Sequence, residues 1–246
     1  MVIKSYALSD IGKQRETNQD SFGIKTIDNL HFFIVADGMG GHSGGEVASN
    51  LSIESFFKYI EKVKQSFETK AVSSLLSEAI ENANLEVFTE AIEKYENNSM
   101  GTTFTVLCIK EELAYLCHIG DSRLYLLRDD TAVQKTVDHT YANELLLAGQ
   151  ITEEEAEKSL KKHVLTRALG TESFLEIDSY IIQLKAEDKI LICSDGLTNM
   201  VEVDEIKEII NENELSIAVE KLIERANFYG GHDNTTAILI DIGGNN

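Results

Sequence analysis

Residues 30–46 read LHFFIVADGMGGHSGGE, an apolar run that ends at an aspartate and continues into closely spaced glycines. The β-branched and aromatic residues at 30–36 are typical of a short strand. Five glycines stand between Asp37 and Glu46, and glycine lets the chain turn sharply and brings backbone carbonyls such as that of Gly38 close to a bound ion. This stretch therefore predicts a strand that ends at a carboxylate and passes through a tight loop into a helix.

Aspartates recur at the ends of other strand-like runs. Asp195 follows KILICS and Asp121 follows LAYLCHIG, whereas Asp20 and Asp233 stand just before SFGIKTI and TTAILIDI. In an antiparallel sheet, the end of one strand and the start of its neighbour lie along the same edge. The pattern predicts that several carboxylates meet at one edge of a sheet.

The register of one pair follows from the sequence. If a hairpin turns at residues 28–29, then Asp20 and Asp37 are equally far from its centre and face each other at its open end. An extra loop residue or a bulge would shift this pairing.

Converging carboxylates repel one another, and they stay ionised together only if a cation compensates them. Oxygen ligands favour Mg²⁺, Mn²⁺ or Ca²⁺, because Zn²⁺ and Cu²⁺ prefer His or Cys. The competing interpretation is ordinary, because a single Asp-Gly pair is usually a turn signal. Arg15, five residues before Asp20, is suited to clamp a phosphoryl group, but a surface ion pair would also explain it.

Strands and helices in the rest of the chain come in blocks and not in strict βαβ alternation, which predicts an α+β fold with antiparallel sheet covered by helix pairs. Period-two and apolar runs predict strands at 2–8, 22–27, 30–36, 102–109, 113–119, 123–127, 175–184, 189–193 and 235–242. Helical spacing of apolar residues predicts helices at 47–63, 72–95, 203–211 and 215–229. Residues 139–170 interrupt the strands with a charged helical excursion, which fits either a flap over a site or a plain connecting helix.

Composition excludes several functions. The 246 residues carry 22 Lys and Arg against 42 Asp and Glu, a formal net charge of −20, which disfavours binding to nucleic acid or to an anionic membrane. The beginning of the chain lacks the apolar run of a signal peptide. Cys108, Cys117 and Cys193 lie in apolar runs without a CxxC pair, which is typical of buried thiols in a reducing compartment. We expect a cytoplasmic protein.

Seven motifs, taken in order, resemble the metal-dependent protein phosphatases of the type 2C class, and bacterial members in particular. The resemblance covers nearly the whole chain, from about Tyr6 to Ile242. Its motifs are RETNQDSF, VADGMGGHSGGEVAS, GTTFTV, HIGDSRLYLLR, LTRALG, ICSDGLTNMV and GGHDNTTAILI.

The resemblance implies one phosphatase domain spanning residues 1–246, with a central antiparallel β-sandwich between pairs of antiparallel helices. It also implies a centre of two Mg²⁺ or Mn²⁺ ions at one end of the sandwich. By position, Asp37 matches the carboxylate that bridges both metals, and Gly38 matches the residue that gives one of them a backbone oxygen. Asp195 and Asp233 match the terminal ligands of the other metal.

The same resemblance extends to the periphery of this centre. Asp121 matches an aspartate that joins Asp195 in a third, looser metal site, and Asp20 corresponds to a residue that holds water on the metal. Arg15 matches the phosphate-binding arginine. Residues 139–170 correspond to the family's flap, which favours the gating interpretation of that segment.

Two positions depart from the family pattern. Met39 stands where eukaryotic relatives carry a histidine proposed as general acid, so the proton donor to the leaving group is open, with His42 nearby. Gln19 stands where some relatives carry Glu. No role is predicted for the other histidines, which are His31, His118, His139, His163 and His232.

These observations predict hydrolysis of phosphoserine and phosphothreonine on proteins by water activated between two metal ions. The expected substrates are targets of a bacterial Ser/Thr kinase, and the expected state is a monomer. An inactive phosphoprotein-binding scaffold of the same fold is the alternative, although such a protein would be expected to have lost metal ligands. Another two-metal hydrolase, such as a nuclease, is disfavoured by the acidic charge.

Overall fold

The computed structural model describes residues 1–41, 43–68, 70–94 and 100–243. His42, named above as a neighbour of the site, and Tyr95, at the end of the second predicted helix, lie outside the described residues. In the part of the chain described, no helix combines the length and apolar character needed to cross a bilayer.

Eleven strands of the described residues form two antiparallel sheets. The first sheet has the order β1 (Val2–Asp10), β11 (Thr235–Gly243), β10 (Lys189–Cys193), β7 (Arg123–Arg128) and β8 (Thr131–Gln134). The second has the order β2 (Asp20–Ile27), β3 (Leu30–Gly40), β5 (Phe104–Lys110), β6 (Leu113–Ile119) and β9 (Asp178–Gln183), and β4 (Met100–Thr102) pairs with the end of β3.

Two long helix pairs cover the outer faces of these sheets. They are α1 (Gly44–Val63) with α2 (Val72–Lys94), and α6 (Val203–Glu212) with α7 (Leu215–Phe228). Three shorter helices are α3 (Tyr141–Leu147), α4 (Glu153–Glu157) and α5 (Asp195–Thr198), and a 3₁₀ turn spans Lys64–Glu68.

Side-chain alternation along the strands creates three layers of core. On β3, Phe33 and Val35 pack between the two sheets, while Phe32 and Ile34 pack against α1 and α2. On β10, Ile190 and Ile192 likewise face the second sheet, whereas its alternate residues pack against α6 and α7. Successive strand residues point to opposite faces, so the predicted sandwich between helix pairs is confirmed.

The predicted hairpin register is also confirmed. Strands β2 and β3 pair antiparallel with Asp20 opposite Asp37 and Ile27 opposite Leu30. Asp28 has a φ of +53°, a conformation that Asp tolerates better than most residues, and it closes the turn. Because the turn has only two residues, Asp20 and Asp37 lie opposite each other at the open end of the hairpin.

Other boundaries differ from the predictions. Strand β9 begins at Asp178 instead of residue 175. Strand β8 was not predicted, because its four residues alternate between exposed and half-buried and carry little apolar pattern. It follows Asp129 and Asp130, both with positive φ, as a two-residue hairpin turn requires. The segment at 139–170 contains α3 and α4. Each of these helices is capped by a threonine whose side chain accepts a hydrogen bond from a backbone N–H of the first turn.

Candidate active site

One cleft, of about 860 Å³, lies where the predicted aspartates meet. It opens at the end of the sandwich that holds the start of β2, the end of β3, the end of β10 and the start of β11. Its lining includes Asp37, Gly38, Asp121, Asp195 and Asp233. The structure therefore brings together five of the residues predicted for the site, although they come from distant parts of the sequence.

The backbone around Asp37 is held by several hydrogen bonds. Its N–H donates to Thr103 Oγ1 at 2.9 Å, and its carbonyl accepts from Thr102 Oγ1 at 2.9 Å and from the Thr103 N–H at 2.8 Å. The next residue must be glycine, because a Cβ on Gly38 would lie 2.0 Å from the Gly45 carbonyl oxygen. The first turn of α1 thus packs directly on the strand end that presents Asp37.

Asp195 begins α5 directly after β10. Its Oδ2 accepts a hydrogen bond from Asn199 Nδ2 at 2.9 Å, one turn further along the helix. The following glycine is again required, because a Cβ on Gly196 would lie 1.9 Å from the Asn234 carbonyl oxygen. This close approach brings Asp195 and the segment containing Asp233 to the same cleft.

Asp20 is buried and is not among the residues that line the cleft. Its Oδ2 accepts a 2.7 Å hydrogen bond from Ser194 Oγ, while its Oδ1 has no hydrogen-bond partner among the described residues. Burial raises the pKa of Asp20 to about 6, and the charges of Asp195 and Asp233 add to this rise, whereas the hydrogen bonds of Ser194 and Thr236 oppose it. An oxygen atom is thus left without a partner beside other carboxylates.

Electrostatic repulsion is strongest at the centre of the group. Burial, followed by the charges of Asp20, Asp195, Asp121 and Asp233, raises the pKa of Asp37 well above its usual value. The pKa of Asp121 is also well above normal, because of burial and the charge of Asp195. Like charges at this density favour a bound cation.

The donor chemistry of the group fits Mg²⁺ or Mn²⁺. The carboxylates and the Gly38 carbonyl offer oxygen only, as these ions prefer, and the partnerless Oδ1 of Asp20 is an acceptor. Within the described ranges, no group of three or more His, Cys, Asp or Glu side chains is arranged to hold a metal ion. The match between this cleft and a divalent cation therefore rests on the oxygen donors and on the uncompensated negative charge. Such a cleft suits Mg²⁺, which usually keeps several of its water ligands.

Arg15 lies at the edge of the cleft and donates from Nη2 to Asp233 Oδ2 at 2.7 Å. The loop that carries it is tied down by Asn234, whose Oδ1 accepts from the Gln19 N–H at 2.8 Å and whose Nδ2 donates to the carbonyl oxygens of Ile11 and Thr17. Asn234 was not among the predicted site residues, although it stands directly after Asp233 in the sequence. The pairing of Arg15 with Asp233 agrees with a surface ion pair. The place of Arg15 in the cleft lining agrees with a phosphate-binding role.

Part of the 139–170 segment forms one wall of the cleft. Lys162, His163, Val164 and Leu165 line it, and His163 Nδ1 lies 3.7 Å from Asp195 Oδ2. Antiparallel bridges from Thr140 to Leu165 and from Thr102 to Leu169 hold the segment to itself and to the second sheet. The segment therefore borders the site, as a flap would.

The five histidines among the described residues lie in three places. His163 and His232 line the cleft, although no role was predicted for them, because nothing in their spacing marks where their loops fold. His118 and His139 are buried with ring centroids 5.0 Å apart, and burial lowers the pKa of His118 to about 3. His31 bonds Thr26 on the β2–β3 hairpin, away from the cleft.

Nucleophilic cysteine chemistry is not supported by the structure. Cys108, Cys117 and Cys193 are free and buried, as predicted. Burial raises the pKa of Cys117 to about 11 and that of Cys193 to about 12, and it raises that of Cys108 further. Thiols with a raised pKa are inert near neutral pH.

Comparison with known proteins identifies a common family. The family model described as Protein phosphatase 2C matches residues 12–226. The chain is 36% identical over 235 residues to the serine/threonine phosphatase stp of Listeria innocua, covering 95% of this chain and 93% of the relative. It is 35% identical over 238 residues to the protein phosphatase PhpP of Streptococcus pneumoniae, covering 96% of each.

Solved structures agree with these relatives. The serine/threonine phosphatase PstP/Ppp of Mycobacterium tuberculosis superposes with a TM-score of 0.88 at 33% identity, covering 99% of this chain and 100% of that one. The catalytic domain of a phosphatase PstP in complex with two manganese ions superposes with a TM-score of 0.84 at 33% identity, covering 98% of this chain and 99% of that one.

Proposed function

The chain belongs to the protein phosphatase 2C family and is a metal-dependent protein serine/threonine phosphatase, and we propose that the aspartate cleft described above is its catalytic centre. The observation that carries this assignment is the convergence of five oxygen-bearing residues whose charge the protein itself leaves largely uncompensated. The substrates are phosphoserine and phosphothreonine residues of other proteins.

Four residues would hold two Mg²⁺ or Mn²⁺ ions. These residues would be Asp37, Asp195 and Asp233 through their carboxylates and Gly38 through its carbonyl oxygen. When bound, the two cations supply the Lewis acidity that lets water hydrolyse a phosphate ester near neutral pH without a covalent intermediate. Asp121, which shares the cleft with Asp195, would serve a third and weaker site.

Two further residues act on the reactants from the edge of the cleft. Arg15 would bind the phosphoryl oxygens with its guanidinium fork, and its 2.7 Å contact with Asp233 keeps it pointed at that position. Asp20, hydrogen-bonded to Ser194, would accept hydrogen bonds from water in the site. Met39 lines the cleft but offers no proton, so this residue contributes only apolar contact.

The proposal extends to the domain organisation, oligomeric state and location of the protein. The chain would form one phosphatase domain and act as a monomer in the cytoplasm, where its three free, buried cysteines would stay reduced. Its substrates would be targets of a bacterial Ser/Thr kinase, which is supported by 35–36% identity to phosphatases from Listeria and Streptococcus. Light scattering of the purified protein tests the monomer.

Hydrolysis of a phosphothreonine peptide tests the catalytic assignment. We expect activity with Mn²⁺, none after treatment with EDTA, and recovery when Mn²⁺ is restored. Asp195→Ala should abolish turnover while its circular dichroism spectrum stays that of the native protein. Asp204→Ala is the matched control, because its side chain is 99% exposed on α6 and should keep full activity.

Two outcomes would contradict the assignment. Full turnover by Asp195→Ala, or activity that persists without metal, would show that the site is elsewhere. Tight phosphopeptide binding without turnover would instead support the inactive scaffold, which the presence of Asp37, Asp195 and Asp233 argues against.

A further inference from the structure

A short basic segment in the flap stands out against the acidic chain. Residues 158–163 read KSLKKH, with three lysines in five residues of a protein whose net charge is −20. Two of these lysines have partners within the flap. Lys158 donates to Glu154 Oε1 at 2.5 Å, and Lys161 lies 4.5 Å from the centre of the Tyr141 ring.

Lys162 differs from its two neighbours. Its side chain is exposed and lines the active-site cleft, and none of the described residues forms an ion pair or hydrogen bond with its ammonium group. Among the described residues that line the cleft, only Arg15 and Lys162 are Lys or Arg. Because Arg15 is paired with Asp233 and is proposed to bind the phosphoryl group, Lys162 is the Lys or Arg among the described lining residues that remains for another part of the substrate.

The surroundings of Lys162 restrict what it can bind. The glutamates of α4 do not contribute to the cleft lining, whereas Met39, Val164 and Met200 do. The floor is occupied by the carboxylates that would hold the metal ions. An anionic group that enters the cleft away from the phosphoryl position therefore meets Lys162 beside an apolar wall.

We propose that Lys162 forms a subsite for an aspartate or glutamate that flanks the phosphorylated residue of the substrate protein. This inference rests on the proposed function, since it assumes that the phosphoryl group occupies the aspartate cleft beside Arg15. An acidic substrate gains nothing from the protein's overall charge, which repels it. Exposed charges are screened beyond about 8 Å at physiological salt, so a local contact with Lys162 can still favour acidic flanks.

Two phosphothreonine peptides of equal length test the subsite, one with aspartates on both sides of the phosphothreonine and one with serines there. The measured quantity is the ratio of kcat/KM for the acidic peptide to that for the serine peptide, with Mn²⁺ at about 0.15 M salt, where the long-range repulsion is screened. We expect the wild-type ratio to be about two- to fivefold, the size of one exposed charge contact. Lys162→Glu should bring the ratio below one.

Lys158→Glu is the matched control, because it makes the same change of net charge on the same segment but at a residue outside the cleft lining. Its ratio should equal that of the wild type. The wild-type ratio should also fall toward one in about 0.5 M salt, because salt screens exposed charges.

The outcomes separate this inference from the proposed function. If the wild type hydrolyses both peptides with a ratio of one, or if Lys162→Glu and Lys158→Glu change the ratio equally, the subsite is refuted while the phosphatase assignment stands. A ratio that does not respond to salt also refutes it. If the Mn²⁺-loaded wild type hydrolyses neither peptide, the proposed function and the inference both fail.

Discussion

The two ends of the β7–β10 strand pair place buried aspartates in opposite electrostatic situations. At one end, Asp188 precedes β10 and is 1% exposed; both of its oxygens accept hydrogen bonds from Arg128, at 2.7 and 2.6 Å, and Oδ2 also accepts from the Lys185 N–H. At the other end, Asp121 precedes β7 and Asp195 follows β10. These two carboxylates face each other's charge.

The presence or absence of a cationic partner from the chain itself distinguishes a buried carboxylate that stabilises the fold from one that is available to bind a metal ion. The chain supplies Asp188 with its own cation through register, because Lys189 pairs with Leu127 and so sets Arg128 beside Asp188. At the active end, burial first and then the charges of neighbouring acids raise the pKa values of Asp37 and Asp121. The compensating charge must come from outside the chain, and the cavity there is about 860 Å³ against about 280 Å³ at the Asp188 end.

The largest effect should follow from removing the central charge of the active end. Asp37→Asn keeps the size of the side chain but removes a charged ligand, so we expect the kcat for a phosphothreonine peptide to fall about a hundred- to thousandfold, as when a key electrostatic contact is lost. Steady-state kinetics with saturating Mn²⁺ measures it. Activity within tenfold of the wild type would mean that Asp37 is not the central ligand.

At the Asp188 end of the strand pair, we expect a substitution to lower the free energy of unfolding and to leave the activity nearly unchanged. Arg128→Ala leaves Asp188 buried without its cation, and breaking a buried pair costs about 3–5 kcal/mol; because the Arg128 side chain is 25% exposed, we expect about 2–3 kcal/mol. Urea unfolding measures the loss.

The Asp188→Ala/Arg128→Ala double variant is the control for this loss. It should recover part of the stability, because no unpaired charge remains. The kcat of the folded Arg128→Ala protein should stay within about twofold of the wild type. A large loss of kcat with unchanged stability would reverse the roles assigned to the two ends.

Much of the fold was predictable because its signals are local. Apolar alternation located most of the strands, and the two-residue turn at Asp28 determined the Asp20–Asp37 register. Strand β8 escaped prediction because an exposed edge strand needs little apolar pattern. The start of β9 was placed too early because Leu175 and Ile177 are apolar for another reason, namely packing against the core under α1 and α2.

The site was predictable only in part. Aspartates at strand ends are brought together by antiparallel pairing, which the sequence pattern reveals. Lys162, His163 and His232 reach the cleft through loops, and no periodicity states where a loop will pack. Asn234 needs three backbone partners from the N-terminal loop, and such long-range contacts exist only after the chain has folded.

The smallest predicted effect concerns pH and the metal-free protein. The native pKa of Asp20 is about 6 and that of Asp37 is well above its usual value, so both carboxyls stabilise the native state while protonated. This contribution is complete below pH 3.8, the unfolded value, and is lost as pH rises through the native pKa. His118 acts in the opposite direction, because its lowered pKa of about 3 makes falling pH destabilising below its unfolded value of 6.5.

Comparing variants separates these opposing contributions, because Asp37→Asn leaves His118 unchanged. In EDTA, the gain in unfolding free energy of Asp37→Asn over the wild type should grow from pH 4.5 to pH 7.5 by at least about 1.4 kcal/mol, the value of one pKa unit. Asp204→Asn, on the exposed face of α6, should show no such growth. Saturating Mn²⁺ should reverse the sign at pH 7.5, since an ion that binds only the native state stabilises the wild type more. If the gain in unfolding free energy of Asp37→Asn is independent of pH and of Mn²⁺, the charge of Asp37 needs no bound cation. The two ends of the strand pair would then not differ in how their buried carboxylates are compensated.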